Sequence, residues 1–151
     1  MHIYLGTDHA GFELKEEVKT YLEGLGHMVD DLGAYVFDPK DDYPDFVAPV
    51  ARKISEEYAN PEVRGVVFGR TGQAEAMVCN RFPHVRASLY YGGPVEIIAL
   101  SRQHNNSNIL SLSAHLISFE EARRALDMWL ATEYEGGRHD ARLKKIEELN
   151  Q

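Results

Sequence analysis

The sequence predicts an α/β fold with one five-stranded parallel sheet, doubly wound in the strand order 2-1-3-4-5 and followed by a C-terminal helix. Short apolar segments alternate with amphipathic segments along the whole chain of 151 residues. The chain has the length of one domain, residues 1–151, and 44% of its residues are hydrophobic. It contains no repeat and no linker that would divide it.

The first half of the chain is predicted to supply two strands and two helices. Apolar runs and steps of three and four residues place strands at His2–Thr7 and His27–Leu32, helices at Phe12–Leu25 and Pro44–Tyr58, and a loop at Gly33–Asp42.

The second half supplies three strands and four helices. The same patterns place strands at Gly65–Phe68, Val85–Tyr90 and Asn108–Leu112, and helices at Gln73–Asn80, Val95–Gln103, Phe119–Leu130 and from Arg138 to the end. In this arrangement Trp129 is a core residue.

Composition and charge exclude several classes of function. The 16 basic and 24 acidic residues give a net charge of −8, which disfavours nucleic acid as a partner but leaves room for a small anionic ligand. A single cysteine forms no internal disulfide and no CxxC site. Without a long apolar run or a secretory pattern at the N-terminus, we expect no membrane partner and a cytoplasmic location.

Two polar segments follow strands 1 and 3 of the predicted sheet. They are Asp8–Gly11 and Gly69–Glu75. In the predicted strand order, the carboxyl ends of these two strands flank the switch point, where doubly wound sheets bind their ligands. We therefore expect the functional site there.

Each candidate in these segments also has a purely structural interpretation. Thr71 is either an N-cap or part of a loop whose amides bind an anion. Glu75 either stabilises the helix N-terminus or acts as a general base, and the helix dipole and burial on substrate closure would shift its pKa in opposite directions. Asp8 and His9 either cap a helix or bind substrate.

A second group of polar residues lies later in the chain. His104 and Asn105 follow a helix that returns to the amino edge of the sheet, so they form only a turn or join the site from a neighbouring subunit. Arg138 and Arg142 share a helix face next to His139, which suits a phosphate but equally a solvated helix. Cys79 is predicted to be a packed residue, and no spacing indicates a metal site.

The chain resembles the ribose-5-phosphate isomerase B family, which also contains galactose-6-phosphate isomerase subunits. The resemblance covers nearly the whole chain and is carried by GTDHAGFELKEEV, DDYPDF, GRTGQAEAMVCNRFPHVRA, SRQHNNSNIL and EYEGGRHDARL. It implies Rossmann-like subunits that form a homodimer, or a pair of such dimers, with sites at the interface. It also implies isomerisation of a phosphosugar through a cis-enediolate, without cofactor or metal.

The resemblance also assigns a role to each matched position. Asp8 and His9 would bind the sugar and its phosphate, and Tyr43 would line the site. The anion hole would be formed by Gly69, Thr71, Gly72 and the amides that follow. His104 would open the sugar ring, Asn105 would hold substrate oxygens, and the phosphate would lie against Arg138, His139 and Arg142.

The sequence departs from the family at several of these positions. Many members have a cysteine base where this chain has Gly69, whereas another branch uses a glutamate that matches Glu75, so Glu75 is predicted to be the base. Arg70 and Ala74 replace small loop residues, usually glycines, and His115 replaces a phosphate-binding arginine. Arg70 either compensates for that arginine or occludes the sugar.

These observations lead to one preferred function and two alternatives. The preferred function is interconversion of ribose 5-phosphate and ribulose 5-phosphate. The first alternative is the same chemistry on another tetrose, pentose or hexose phosphate. The second is a sugar-phosphate-binding protein without catalysis.

Overall fold

All five predicted strands form, and they pair in parallel. The computed structural model describes residues 1–149. The strands are β1 (His2–Thr7), β2 (Met28–Asp31), β3 (Val63–Gly69), β4 (Ala87–Tyr90) and β5 (Ile109–Ser113). The helices are α1 (Phe12–Gly24), α2 (Pro44–Glu56), α3 (Gln73–Cys79), α4 (Glu96–Asn105), α5 (Phe119–Ala131) and α6 (Asp140–Glu148).

The strand order is β2-β1-β3-β5-β4, so the predicted order 2-1-3-4-5 is wrong at one edge. The burial of the two strands explains the exchange. Every residue of β5 is buried, whereas Ala87, Ser88 and Leu89 of β4 are only half-buried. A strand buried on both faces occupies the interior of a parallel sheet, and the less apolar strand takes the edge.

The helices cover both faces of the sheet. Helices α1, α4 and α5 pack on one face around Leu14, Ile98 and Trp129. Helices α2 and α3 pack on the other face around Val50 and Cys79. Because the chain turns back from the edge strand β4 to β5, a right-handed crossover moves α4 to the face opposite α3.

The exchange also changes which loops lie side by side. Gly69 at the end of β3 is in register with Ser113 at the end of β5. Beyond the strands, the N–H of Ala114 donates to the carbonyl of Gly69 at 2.8 Å, and that of His115 to the carbonyl of Arg70 at 3.1 Å. The loop after β3 therefore lies between the ends of β1 and β5.

A buried ion pair anchors the start of the loop that follows β2. Lys15, whose side chain is fully buried, donates to Asp31 at 2.5 Å. Lys19 donates to the same carboxylate at 3.1 Å, and the other oxygen of Asp31 accepts the N–H of Gly33 at 2.9 Å. This pairing explains how a strand containing two aspartates forms at β2.

Most helix boundaries differ from the predictions by one or two residues, and two of the differences affect candidate site residues. Helix α4 extends to Asn105, so His104 and Asn105 end the helix rather than follow it, and Asn106 adopts a left-handed C-cap with φ of 46°. Arg138 and His139 lie in a 3₁₀ turn before α6, so Arg138 does not share a helix with Arg142. The last two residues of the predicted C-terminal helix, 150 and 151, lie outside the described residues. Among residues 1–149, no helix has the length and apolarity needed to cross a membrane.

Candidate functional site

A cleft of about 570 Å³ lies at the carboxyl ends of β1, β3 and β5. The predicted site residues that line it are Asp8, His9, Tyr43, Arg70, Thr71, Ala74, Glu75 and His115, together with Phe37. The ligand site predicted at the switch point between β1 and β3 therefore corresponds to a real concavity. His115 reaches it because β5, not β4, lies beside β3.

Glu75 is buried in the first turn of α3, with 4% of its surface exposed. Its carboxylate occupies the space that a side chain at position 69 would need. A Cβ built on Gly69 would lie 1.9 Å from Oε1 of Glu75 and 2.0 Å from its Cδ. The absence of a side chain at Gly69 thus lets the Glu75 carboxylate lie against the end of β3.

The pKa of Glu75 shifts in the direction that burial favours. Burial raises the pKa of the Glu75 carboxyl above its usual value, and the nearby charge of Asp8 raises it further. The N–H of Glu75 itself acts in the opposite direction without reversing the shift. A carboxylate with a raised pKa is a stronger base at neutral pH, as proton abstraction from carbon requires.

Two serines of β5 hold the loop that carries Glu75. The hydroxyl of Ser111 donates to the carbonyl of Gly72 at 2.6 Å, and that of Ser113 to the carbonyl of Arg70 at 2.8 Å. Sequence reasoning missed both residues. The signal was present as two small polar residues alternating with leucines in a strand that is otherwise apolar.

Position 72 needs glycine for two reasons. Its φ is +76°, and a Cβ there would lie 2.6 Å from Cδ1 of Leu89. Gly72 rather than Thr71 is the N-cap of α3. The Thr71 hydroxyl accepts only a long bond of 3.4 Å from the N–H of Gln73 and lines the cleft. Ala74 lies within the helix without a positive φ, so its side chain causes no backbone strain.

Asp8 and His9 lie just beyond β1. Asp8 is the N-cap that the sequence predicted, because its Oδ1 accepts the N–H of Ala10 at 2.9 Å. Its side chain also borders the cleft, and burial raises the pKa of its carboxyl. The structural and functional interpretations of Asp8 are therefore compatible.

A carboxylate that sequence reasoning missed fixes His9. Oδ1 of Asp41 lies 2.6 Å from Nδ1 of His9 and accepts the N–H of His9 at 2.9 Å. This pairing raises the pKa of the His9 imidazole. The DPKDDYP segment contains three aspartates, and nothing in their spacing distinguishes Asp41 from Asp38 or Asp42.

The remaining candidates form a second cluster outside the cleft. His104 and His139 stack with their ring centroids 4.5 Å apart, and Glu135 lies 4.0 Å from each ring. Helix α4 begins beyond the carboxyl end of β4, so its last turn, with His104 and Asn105, reaches the opposite edge of the sheet. The participation of this cluster in a neighbouring subunit's cleft remains a prediction.

The electrostatics of this second cluster suit an anion. Burial lowers the pKa of His139, and His104, Arg138 and Arg142 lower it further, whereas only Glu135 opposes them. A phosphate group placed there would relieve the repulsion between these basic groups.

Arg102 holds the end of α4 by donating to the carbonyl of Thr132 at 3.2 Å and to Oδ1 of Asn106 at 2.9 Å.

Within residues 1–149, two sets of side chains bring possible metal ligands together. Asp8, His9 and Asp41 bring their ligand atoms within 4.8 Å of one another, as do His104, Glu135 and His139. In the first set the His9 and Asp41 ligand atoms already bond to each other. The prediction of a metal-free site stays a prediction.

Cys79 is buried, and burial raises the pKa of its thiol to about 12, as expected for a packed residue.

Comparison with known proteins identifies the family. A family model described as Ribose/Galactose Isomerase matches residues 3–146. Ribose-5-phosphate isomerase B of Mycolicibacterium paratuberculosis is 35% identical over 150 residues, which cover 98% of this chain and 91% of that protein. A probable ribose-5-phosphate isomerase B of Mycoplasma pneumoniae is 38% identical over 144 residues, covering 95% and 91%.

Solved structures agree with the sequence comparison. The crystal structure of ribose-5-phosphate isomerase B from Mycoplasma genitalium with bound ribulose-5-phosphate superposes with a TM-score of 0.92 at 34% identity, covering 98% of this chain and 95% of that one. The Thermotoga maritima ribose 5-phosphate isomerase superposes with a TM-score of 0.85 at 39% identity, covering 97% of each chain. This chain therefore belongs to the Ribose/Galactose Isomerase family and is an isomerase.

Proposed function

We propose that the protein interconverts ribose 5-phosphate and ribulose 5-phosphate, with Glu75 as the base. The observation that carries the proposal is the Glu75 carboxylate in the space beside Gly69. A buried carboxylate with a raised pKa that lines the cleft suits abstraction of a proton from carbon. The bound ribulose-5-phosphate of the Mycoplasma genitalium relative supports this choice of sugar.

The reaction moves one proton between two carbons. Glu75 removes the proton from C2 of the open-chain aldose, and the electron pair of that bond forms the C1–C2 double bond of an enediolate. Glu75 then returns the proton to C1, and the proton of the C2 hydroxyl is transferred to the oxygen on C1, so that C2 carries the carbonyl and C1 the hydroxyl. The amides of Gly69, Thr71 and Gly72 stabilise the negative charge on oxygen.

The second cluster completes the site from a neighbouring copy in a homodimer. His104 of that copy opens the sugar ring, Asn105 holds substrate oxygens, and Arg138, His139 and Arg142 take the phosphate. Two half-sites at opposite edges of one chain support this arrangement, because a twofold axis completes both sites at once. A groove of about 460 Å³ beside Asn105, lined by Leu143, Ile146 and Leu149, offers apolar surface for the contact.

A complementation experiment tests the shared site. Glu75→Gln and His104→Ala homodimers should both be inactive. After subunit exchange in an equal mixture, about half of the dimers are mixed, and each mixed dimer has one intact site, so activity should recover to about a quarter of the wild-type value. An inactive mixture in which exchange is demonstrated by mass spectrometry would place the two residues in the same subunit's site or outside it.

The first experiment on the reaction itself is proton NMR of ribose 5-phosphate in D2O. We expect ribulose 5-phosphate and deuterium at the exchanging carbon with wild type, and a loss of about 10²–10⁴-fold with Glu75→Gln. An unchanged rate in the variant would remove Glu75 from the role. Activity after dialysis against a chelator tests the proposed independence of metal, and fractionation of cells tests the proposed cytoplasmic location.

One observation favours a second candidate sugar. Arg70 and His115 both border the cleft where the family usually has a small residue and an arginine. Arg70 supplies a positive charge that can hold a phosphate at a different distance from the base, which would suit a shorter or longer phosphosugar. A panel of tetrose, pentose and hexose phosphates tests this, and a higher kcat/KM for another member would replace ribose 5-phosphate as the preferred substrate.

A further inference from the structure

We infer that Asp41 is a positioning residue that orients the His9 imidazole and keeps it positively charged for an anionic substrate. The inference rests on the proposed function, since it assumes that His9 faces a phosphosugar. Asp41 begins the DDYPDF segment that carries part of the resemblance, but the resemblance assigns it no role.

The geometry around His9 leaves its ring little freedom. One oxygen of Asp41 bonds both to Nδ1 of the ring, at 2.6 Å, and to the main-chain N–H of His9, at 2.9 Å. The side chain of Asp41 is only 10% exposed, whereas that of His9 is 33% exposed. Asp41 therefore fixes the ring through Nδ1, and Nε2 is the nitrogen that remains to donate into the cleft.

The second oxygen of Asp41 indicates that the charge matters. Oδ2 is buried and has no hydrogen-bond partner among residues 1–149. Leaving a buried carboxylate oxygen unpaired is unfavourable, and a carboxylate is retained where its charge is compensated or used. The basic group that Asp41 bonds is His9, through Oδ1, so the two residues form a carboxylate–imidazolium pair at the edge of the cleft.

Every charged group that faces His9 from its own segment and from the loop after β2 is acidic. Asp8 and Asp38 both add to the effect of Asp41, and burial alone opposes them. The more distant charged or titratable groups around the two hollows that His9 borders are Glu13, Glu17, Tyr43, Arg70, Glu75 and His115. The field at the ring is dominated by carboxylates, which favour the imidazolium.

The experiment compares Asp41→Asn with Asp38→Asn. The amide at position 41 keeps the shape of the side chain and an oxygen for both bonds, so the substitution removes mainly the charge. Asp38→Asn removes the same charge from the same loop, at a residue that bonds the N–H of Lys40 rather than His9. The emission of the buried Trp129 verifies folding of each variant.

The primary readout is an NMR titration of the His9 ring without substrate, with the resonance assigned by its loss in His9→Gln. We expect the His9 pKa to fall in Asp41→Asn and to change little in Asp38→Asn. The KM of Asp41→Asn for ribose 5-phosphate should rise about tenfold at pH 8 and should approach that of wild type as the pH falls and the ring takes up a proton.

Two outcomes would overturn the inference. One is an unchanged His9 pKa in Asp41→Asn. The other is a loss of activity that is equal at pH 6 and pH 8, or that is as large in a His9→Gln background, because either would mean that Asp41 only stabilises the loop. If wild type did not isomerise ribose 5-phosphate, the proposed function would fail, while the titration would still decide whether Asp41 sets the charge of His9.

Discussion

Replacement of Gly69 by alanine should inactivate the enzyme by moving Glu75. The added Cβ would lie 1.9 Å from Oε1 of Glu75, and ordinary contact begins at 3.4 Å, so the carboxylate must retreat by about 1.5 Å. Misplacement of a catalytic group by about 1 Å can cost 10²-fold in rate. We therefore expect kcat to fall about 100-fold in Gly69→Ala.

The fold should survive this substitution. Gly69 has no positive φ, so alanine fits its backbone, and the atoms that clash are the end of a side chain rather than main chain. Overpacking should lower the free energy of unfolding by about 1–3 kcal/mol. Urea unfolding followed by Trp129 emission measures this change. Gly24→Ala is the matched control, because a Cβ there meets no atom within 4 Å.

A double-mutant cycle decides whether the loss acts through Glu75. The rate of isomerisation is measured for Gly69→Ala, Glu75→Gln and the double variant. Since the clash matters only through the carboxylate's position, the double variant should be no slower than Glu75→Gln alone. Full activity of Gly69→Ala, or losses that multiply in the double variant, would refute the reasoning.

Three further predictions concern stability and substrate binding. Burial raises the pKa of Glu75 in the folded protein, so stability falls as the pH rises from the ordinary glutamate pKa to the raised one. Glu75→Gln removes this loss and should raise the free energy of unfolding by about 1 kcal/mol at pH 8 and by little at pH 4, as measured by urea titrations. Lys15→Met should cost about 3 kcal/mol at pH 7, because it leaves the buried Asp31 with Lys19 as its one remaining basic partner. Burial alone would raise the pKa of Asp31, but its bonds to Lys15, Gly33 and Lys19 lower it, so the difference between variant and wild type should shrink as pH falls below about 4. Arg142→Ala should raise the KM for ribose 5-phosphate about tenfold with little change in kcat, whereas the neighbouring Lys144→Ala should not, and a pure loss of kcat would contradict a phosphate-binding role.

Apolar patterning predicts the sheet well but not the order of its last two strands. The run Gly65–Phe68 is apolar throughout and identifies β3 as central, and the switch point beside it follows from the topology. The order of β4 and β5 depends on how strongly each strand is buried. Both strands are short, so only a few side chains in each indicate its degree of burial. Counting strands along the chain therefore places them in the wrong sequence.

The site residues divide in the same way between local and non-local signals. Asp8 and the loop around Gly72 are identifiable from local features, namely a capping aspartate and a glycine turn. Asp41 is not, because its partner His9 lies 32 residues away and three aspartates share its loop. Residue types alone leave Glu75 between a cap and a base. Only the space beside Gly69 connects that glycine to the carboxylate six positions later.

The exchange of β4 and β5 and the shape of the loop between β3 and α3 depend on each other. In the sheet, Leu89 of β4 is in register with Ser111 of β5, so a β4 strand placed beside β3 would present leucine where the loop finds a hydroxyl. The carbonyl of Gly72 would then lose the bond from Ser111 next to the first turn of α3. The Gly72 carbonyl would still accept the N–H of Ala76 at 3.1 Å, so the loss is that of one hydrogen bond, about 0.5–1.5 kcal/mol, and the turn that places Glu75 beside Gly69 would lose part of its support. The serines of β5 thus give the observed strand order a role in the placement of Glu75, in addition to the burial that favours it.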